Sequence, residues 1–501
     1  MAKNGENNGG EAKVVGRGML FITGAKFYFI GTATLLTYTL TLLFDKETFG
    51  RYSVVLGVLN VANMMVVQGT LQTVSKHISE TEGIAGAVRQ AAYRLQGAMV
   101  LIVVLAGILG APLWSWLLGD TSLTSALQVG FITTAAYAFY AMFIGEFNGR
   151  KRFGIQASMD VSFATIKLTL MVGLAALGFG VIGAIAGFST TAVIMTIVAF
   201  IVLKRMRAQR NAIEEKDFAS AVSPMALLKF EGLIIASAAV LNLLLQQDLF
   251  LIKALLSRTA DLSFADKSAG VYNTALLISR LTYQATIAIT FVILPLVSRS
   301  TFDKDREKTG LYVRTTMKYS LIIVSFIAGC IVAMAPHVYA VLFPSYVEGA
   351  GPAALLAIAY GLFSLLLILT TMITASGRPA MSLLALGIAL VVAAGVNYFL
   401  IPKYHLWGAA VGTVLGMTTG FVVSAVMVKR FFEAFMSIFE GLRTLIPVVI
   451  VVAALTMWPV SGLLMVIVKG VVTVVALALA LVISGAVRKQ ELMDVRRAIK
   501  G

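Results

Sequence analysis

Cysteine and histidine are nearly missing from this sequence, with one Cys and three His among 501 residues. Cys330 stands alone inside an apolar run, which excludes an intramolecular disulfide framework, and the scattered histidines offer no metal-ligand spacing. No metal and no cofactor is therefore expected. Charge is scarce too, at 13% of residues against about 25% in a soluble domain. Long polar segments are also lacking. The longest stretches between apolar runs, around 204–224 and 299–315, hold roughly twenty residues, far below the size of a domain. That leaves no room for an extramembrane catalytic region. No Gly-rich loop with a following Lys and Ser/Thr is present to take ATP. The chain reads as a non-enzyme, and no catalytic residue is nominated.

What remains is apolar. Hydrophobic residues make up 59% of the chain, above the roughly 45–50% of soluble domains, and the mean hydropathy is +0.90. Fourteen stretches have the length and apolarity of membrane-spanning helices, centred near residues 31, 64, 102, 135, 166, 193, 243, 283, 328, 364, 390, 417, 451 and 472. The expected fold is thus an all-α polytopic membrane protein. Residues 1–14, polar and rich in Gly and Asn, are expected to form a disordered cytoplasmic leader. The apolar run from about 17 to 44 is too long for a signal-peptide core, so no cleavage is expected.

Orientation follows from the basic residues. Clusters at Arg150, Lys151 and Arg152, at Lys204, Arg205, Arg207 and Arg210, at Arg299, Lys304, Arg306 and Lys308, and after Arg488 all fall on one side. The positive-inside rule makes that side, and both termini, cytoplasmic. The net charge of +16 is then a signature of topology rather than of nucleic-acid binding. Residues 431–443 place Phe431, Phe435, Phe439 and Leu442 opposite Glu433, Ser437 and Glu440, the pattern of an amphipathic helix lying in the cytoplasmic interface.

Four landmarks recur at nearly one offset. FGRY at 49–52 matches AGVY at 269–272, and Ala111-Pro112 matches Ala335-Pro336. Gly149-Arg150 matches Gly377-Arg378, and GAIAG at 183–187 matches GAAVG at 408–412. The inference is a duplicated chain with an N-lobe over 15–210, a cytoplasmic linker over 211–224 and a C-lobe over 225–430. Each lobe has six helices; two appended spans over 444–486 and a cytoplasmic tail over 487–501 follow. An even number of helices per repeat relates the lobes by an axis along the membrane normal and favours a substrate site between them near the midplane.

The ordered set ETFGRYSVVLGVLN, FNGRKRF, QQDLFLIKALL, AGVYNTALLISRL with VILPLVSRS, SGRPAMSLLALGIALVVAAGVNYFLIPKY and LWGAAVGTVLG resembles the bacterial oligosaccharide-lipid flippases. These are the O-antigen and polysaccharide exporters, in one superfamily with the lipid II flippases and the multidrug and toxin extruders. The resemblance covers about residues 15–430. It implies a V-shaped two-lobe fold in the bacterial inner membrane. It also implies movement of an undecaprenyl-pyrophosphate-linked glycan from the cytoplasmic to the periplasmic leaflet by alternating access. Membrane lipids and other polysaccharide-assembly proteins are the further partners it suggests.

Charges inside the spans are where the chemistry is expected, because a charge at the bilayer centre costs about 2.5–3.5 kcal/mol on insertion scales. At about 1.5 Å of rise per residue, Lys26 lies about 13 Å in from Arg17, Lys167 about 20 Å in from Gly154 and Arg280 about 15 Å in from Gly270. These three face either a cavity between the lobes or an ion pair within a lobe. Cations at graded depths would replace water around a migrating diphosphate. In the resembling lipid II flippases, cationic residues on the first and eighth helices line the cavity, which carries that role to Arg17, Lys26 and Arg280. Asp248 lies about 13 Å below Ser257, at the depth of Arg280, and is expected to hold Arg280 directly or through water. Asp160 and Lys167, seven residues apart on one helix face, form a second expected pair.

Asn60 and Asn63 on the second span, with Gln68 and Gln72, are expected either to touch glycan or to bond between helices, and Gln246 and Gln247 on the seventh to bind water or sugar hydroxyls. Tyr28, Tyr38, Tyr272 and Tyr283 are candidate sugar platforms. Arg150 and Arg378 are candidates for capturing substrate phosphate at the cytoplasmic face, and Lys469 either binds lipid or reaches the interface. Lys229, Lys253, Glu146 and Glu231, near span ends, read as snorkelling. Coupling to a proton, a sodium ion or the membrane potential is left open, with Asp160, Asp248 and Glu231 as the ion carriers.

Three rivals remain. A lipid II flippase shares the fold and the chemistry. A multidrug extruder needs an electronegative cavity, whereas the deep charges are Lys26, Lys167 and Arg280 against Asp160 and Asp248. A glycosyltransferase or polymerase lacks the loops it would need.

Overall fold

The computed structural model describes residues 3–80, 85–209 and 224–487. The expected linker lies almost wholly, and the expected tail from 488 onward, outside the described residues. The described chain is helical with no strand, as hydrocarbon dictates, since a helix satisfies its backbone N–H and C=O groups internally. The helices are α1 (Lys3–Leu43), α2 (Lys46–Glu80), α3 (Ala85–Leu117), α4 (Thr124–Gly149), α5 (Phe153–Leu174), α6 (Gly180–Gln209), α7 (Pro224–Thr259) and α8 (Leu262–Ser279). There follow α9 (Leu281–Gln284), α10 (Ile287–Phe302), α11 (Arg306–Leu342), α12 (Ala350–Ala375), α13 (Pro379–Phe432), α14 (Ile438–Thr456) and α15 (Leu463–Ile483). By length and apolarity, ten stretches among the described residues are candidate spans. Two of them, Phe153–Met206 and Pro379–Phe432, hold 54 residues each. Both are interrupted, the first at Gly178 and Gly180 (φ 90° and 56°) and the second at His405 (φ 49°).

The chain divides into two compact units, Met1–Gln246 and Gln247–Gly501. In the first, α4 is the centre and packs on α2, α3 and α6, while α5 packs on α1 and α6. In the second, α12 is the centre and packs on α8, α10, α11 and α13, while α14 and α15 pack on α11 and on each other. The repeat is visible in these centres. Thr124 plus 226 is Ala350 and Gly149 plus 226 is Ala375, so α4 and α12 are equal in length, at 26 residues. Leu365, Ile368, Leu369, Met372 and Ile373 of α12 fill a core with Ile293 and Val297 of α10, Val313 and Met317 of α11 and Val428 of α13.

Lipid tails are as apolar as Leu, so helices in a bilayer associate through close packing and polar bonds. The repeated glycine motif supplies the first in both units. A Cβ on Gly187 would stand 2.7 Å from the Leu170 backbone, and one on Gly408 would stand 2.4 Å from the Leu400 carbonyl oxygen. The motif therefore closes α5 on α6, and the two halves of α13 on each other. Gly187→Ala is expected to cost about 1–3 kcal/mol by overpacking, read as a lower unfolding midpoint in detergent. Gly173→Ala, with open space around its Cβ, is expected to leave the midpoint in place. Polar bonds supply the second: Thr133 to Ser189 Oγ at 2.6 Å, and Ser279 Oγ to the Ala353 carbonyl at 2.9 Å.

Three expectations are corrected. Helix α1 starts at Lys3, so the polar leader is helical; a helix once nucleated in the apolar run propagates at one hydrogen bond per residue. No separate interfacial helix spans 431–443. Residues 431–432 finish α13, Glu433 turns left-handed (φ 52°), and Ser437 caps α14 with a reciprocal Glu440 contact. The span expected around 283 is broken into α8, α9 and α10. In its polar run Ser279, Arg280, Thr282, Gln284 and Thr286, the Thr286 hydroxyl donates to the Tyr283 carbonyl at 2.8 Å and meets the Ser364 hydroxyl of α12, and Ser279, Thr282 and Thr286 are fully buried. Irregular backbone is tolerated at membrane depth where protein covers it.

Candidate functional site

Each unit carries its own group of deep charges. In the first unit, Lys26 on α1 lies 3.6 Å from the Asp160 carboxylate on α5, with Asp160 mostly covered and Lys26 exposed. Tyr28, two residues on, bonds Thr165 at 2.8 Å. Lys167 does not reach Asp160 as expected. Its ammonium is 4.2 Å from the centre of the Phe188 ring on α6 and 6.0 Å from that of Phe29. Seven residues along one helix separate Asp160 from Lys167 by about 10 Å, whereas α1 lies alongside α5 and presents Lys26 directly. An aromatic cluster lies beside these charges. Phe163 is 5.1 Å from both Tyr137 and Tyr140 and meets Phe188 edge-on at 6.3 Å. Tyr137 and Tyr140 escaped the sequence reading because nothing in their spacing separates them from ordinary core aromatics.

In the second unit, the Asp248 carboxylate on α7 is fully buried and held by three donors. The Tyr272 hydroxyl of α8 donates to Oδ2 at 2.9 Å, the Thr413 hydroxyl of α13 donates to Oδ2 at 3.1 Å, and the Leu249 amide donates to Oδ1 at 2.8 Å. Arg280, at the C-terminal end of α8 where the span breaks, donates Nε–H to the Tyr360 hydroxyl of α12 at 3.2 Å. Tyr360 stacks with Tyr283 at 5.7 Å. Asp248 and Arg280 thus feel each other electrostatically, but Asp248 accepts from the Tyr272 and Thr413 hydroxyls and Arg280 donates to the Tyr360 hydroxyl, partners that the sequence reading did not assign. The arrangement gives a buried carboxyl group three hydrogen-bond donors and leaves a guanidinium at a joint in the helix. A hydrogen bond to a charged group contributes about 1.5–3 kcal/mol, so Tyr272→Phe is expected to destabilise by that much. Tyr52 is its repeat counterpart (272 − 220 = 52), buried with no hydrogen-bond partner for its hydroxyl among the described residues. Tyr52→Phe is expected to be neutral or stabilising; equal losses in thermal unfolding of the two variants would contradict the assignment.

The other nominated residues fall as follows. Arg17 is on α1, and its side chain lies outside the described ones, as do those of Gln68, Gln72, Lys229 and Glu231. Gln246 and Gln247 are buried, and Gln247 accepts from the Asn397 amide of α13 at 3.0 Å. The Gln247–Asn397 bond lies within the second unit. Asn63 is likewise buried, with neither amide atom bonded among the described residues, while Asn60 is half-buried. Arg150 pairs with buried Glu146 at 2.8 Å, so Glu146 does not snorkel. Arg378 is exposed and lies 4.1 Å from the Phe431 ring. Lys469 is fully buried, donating to the Trp458 carbonyl at 2.6 Å beside His337 Nε2 at 3.4 Å; it is not a surface lysine. Lys253 is fully buried too, in an ion pair with Asp266 of α8. Among the described residues, no group of three or more His, Cys, Asp or Glu could hold a metal ion.

With this geometry in place, the comparisons are consistent. The solved structure of the lipid II flippase MurJ in an inward closed conformation matches at 14% identity and a TM-score of 0.71, over 92% of this chain and 98% of that one. An inward-facing multidrug resistance MATE family transporter of the MOP superfamily matches at 14% identity and a TM-score of 0.66, over 81% and 94%. A MOP superfamily transporter from Pyrococcus furiosus matches at 15% identity and a TM-score of 0.61, over 83% and 95%. At such identities these establish the fold. No curated protein matches the sequence. Residues 15–302 match the family described as polysaccharide biosynthesis protein. That match spans more than half of the chain, and this multi-pass membrane protein of transporter fold belongs to the polysaccharide biosynthesis protein family.

Proposed function

We propose that the chain is a flippase that carries an undecaprenyl-pyrophosphate-linked oligosaccharide, an O-antigen or other polysaccharide repeat unit, from the cytoplasmic to the periplasmic leaflet of the bacterial inner membrane. It works by alternating access, without altering the substrate. In this reading the chain crosses fourteen times with both termini cytoplasmic: α1 to α7, α8 to α10 as one broken span, α11, α12, the two halves of α13, α14 and α15. The observation that carries the reading is Arg280, a guanidinium held by Tyr360 at a helix break deep in the second unit. A diphosphate diester brings two negative charges that hydrocarbon does not solvate, and Arg can fork onto its oxygens. Lys26, Lys167 and Arg17 supply the cations of the first unit, with Asp160 as the orienting carboxylate beside Lys26 and Asp248 as that of Arg280. Coupling falls to a proton or sodium ion at those carboxylates or to the membrane potential acting on the cations, about 2.3 kcal/mol per charge per 100 mV.

The deciding experiment is complementation of strains lacking defined glycan flippases, followed by reconstituted translocation of the lipid-linked glycan that rescues. A second reading, lipid II as substrate, is favoured by the near-full-length likeness to MurJ. Rescue of a lipid II flippase mutant but of no polysaccharide mutant would select it. Rescue in a drug-efflux assay alone would sink both.

A further inference from the structure

The cytoplasmic ends of α10, α11, α12 and α13 enclose a cavity of about 270 Å³ within the second unit. Three cations line it: Lys304, Arg306 and Arg378. Lys304 and Arg378 have no carboxylate partner within 4 Å among the described residues. The Thr301 hydroxyl also lines it, buried and with no hydrogen-bond partner among the described residues. Phe431 forms an aromatic wall, with the Arg378 guanidinium 4.1 Å from its ring centre. Two carboxylates are present as well. Asp305 is committed to the start of α11, where the Lys308 amide and ammonium hold its carboxyl below the usual carboxylate range. Glu433 is different: from a left-handed backbone conformation (φ 52°) it reaches Arg306 at 3.6 Å. Lys304 is left-handed too (φ 55°). Side chains with a Cβ resist this conformation, and such residues persist where surrounding structure or function demands them.

We propose that this cavity is a phosphate-binding site on the cytoplasmic face, and that Glu433 is its built-in competitor. A phosphate or pyrophosphate group would take the fork of Arg378, the ammonium of Lys304 and the unused Thr301 hydroxyl, and would release Arg306 from Glu433. The aromatic wall suits the apolar neighbour of a lipid headgroup. Two sources share this chemistry, an anionic phospholipid headgroup and the diphosphate of the lipid-linked substrate. The second source rests on the flippase reading above; the site itself does not.

A single reporter thiol tests it. Ser376 lines the cavity, and Ser376→Cys in a Cys330→Ser background leaves one thiol in the chain. In nanodiscs of phosphatidylcholine, that thiol is expected to react about fivefold or more faster with an anionic methanethiosulfonate reagent than with its cationic counterpart. Millimolar inorganic pyrophosphate should slow the anionic reagent about threefold. Glu433→Gln should strengthen that protection roughly threefold, the range of a surface ion pair, and Arg378→Gln should abolish it. Protection also conferred by phosphatidylglycerol in the disc assigns the site to a headgroup; protection by pyrophosphate alone assigns it to a diphosphate. Equal rates for the two reagents, no protection by either anion, or weaker protection in Glu433→Gln would overturn the proposal. A protein that translocates no lipid-linked glycan yet shows the Glu433 effect keeps this site and loses the flippase reading.

Discussion

Lys253→Met is expected to cost the fold about 3–5 kcal/mol, and the double variant Lys253→Met, Asp266→Leu to recover most of it. Both partners are fully buried and paired with each other across α7 and α8. Removing the ammonium takes its ion-pair partner from a carboxylate in a covered site, which is the expensive half of the cycle. Replacing both leaves packed apolar side chains of similar volume, which often cost nothing. The measurement is thermal unfolding in detergent, where the single variant should fall by roughly 10 °C. If single and double variants melt together, the pair holds no charge worth compensating, and its role is packing alone.

Translocation is where the second large effect is expected. Arg280→Gln should lower the rate of glycan transfer by roughly 10- to 100-fold, since the lost charge-assisted bonds amount to about 1.5–3 kcal/mol. Arg280→Lys should be intermediate: it keeps the charge and loses both the planar fork and the bond from Nε to Tyr360. Tyr360→Phe should lose less than either, because the guanidinium stays while one of its bonds goes. Reconstituted transfer at fixed protein density, with unfolding midpoints measured in parallel, separates this from simple instability. Full-rate transfer by a well-folded Arg280→Gln protein would remove Arg280 from the mechanism.

Relative level along neighbouring helices was legible in the sequence; direction around the helix axis was not. Rise per residue placed Asp248 and Arg280 at matching levels, and the structure brings them within electrostatic range. The same arithmetic could not show that Tyr272 and Thr413 would take up the carboxylate, because those partners come from helices whose rotation is set by packing. Lys253 illustrates the limit. It reads as a lysine near a span end, and only the α7–α8 contact reveals Asp266 against it. Lys469 was misread for the same reason, its partners coming from the loop before α15 and from α11. Close packing was easier to read, since small residues that allow backbone approach leave a compositional trace: GAIAG marks the approach of α6 to α5, and GAAVG that of the two halves of α13. The break in the eighth span left only a polar cluster, which a hydropathy window averages away.

That break makes twins of unequal stiffness. Helix α2 is an uninterrupted rod of 35 residues, and its duplicate is a jointed limb of α8, α9 and α10. A rod carries a push at one end to the other unchanged, whereas a jointed limb lets its ends turn through different angles. Because Arg280 occupies the elbow, whatever cancels its charge also changes the electrostatics of the elbow itself.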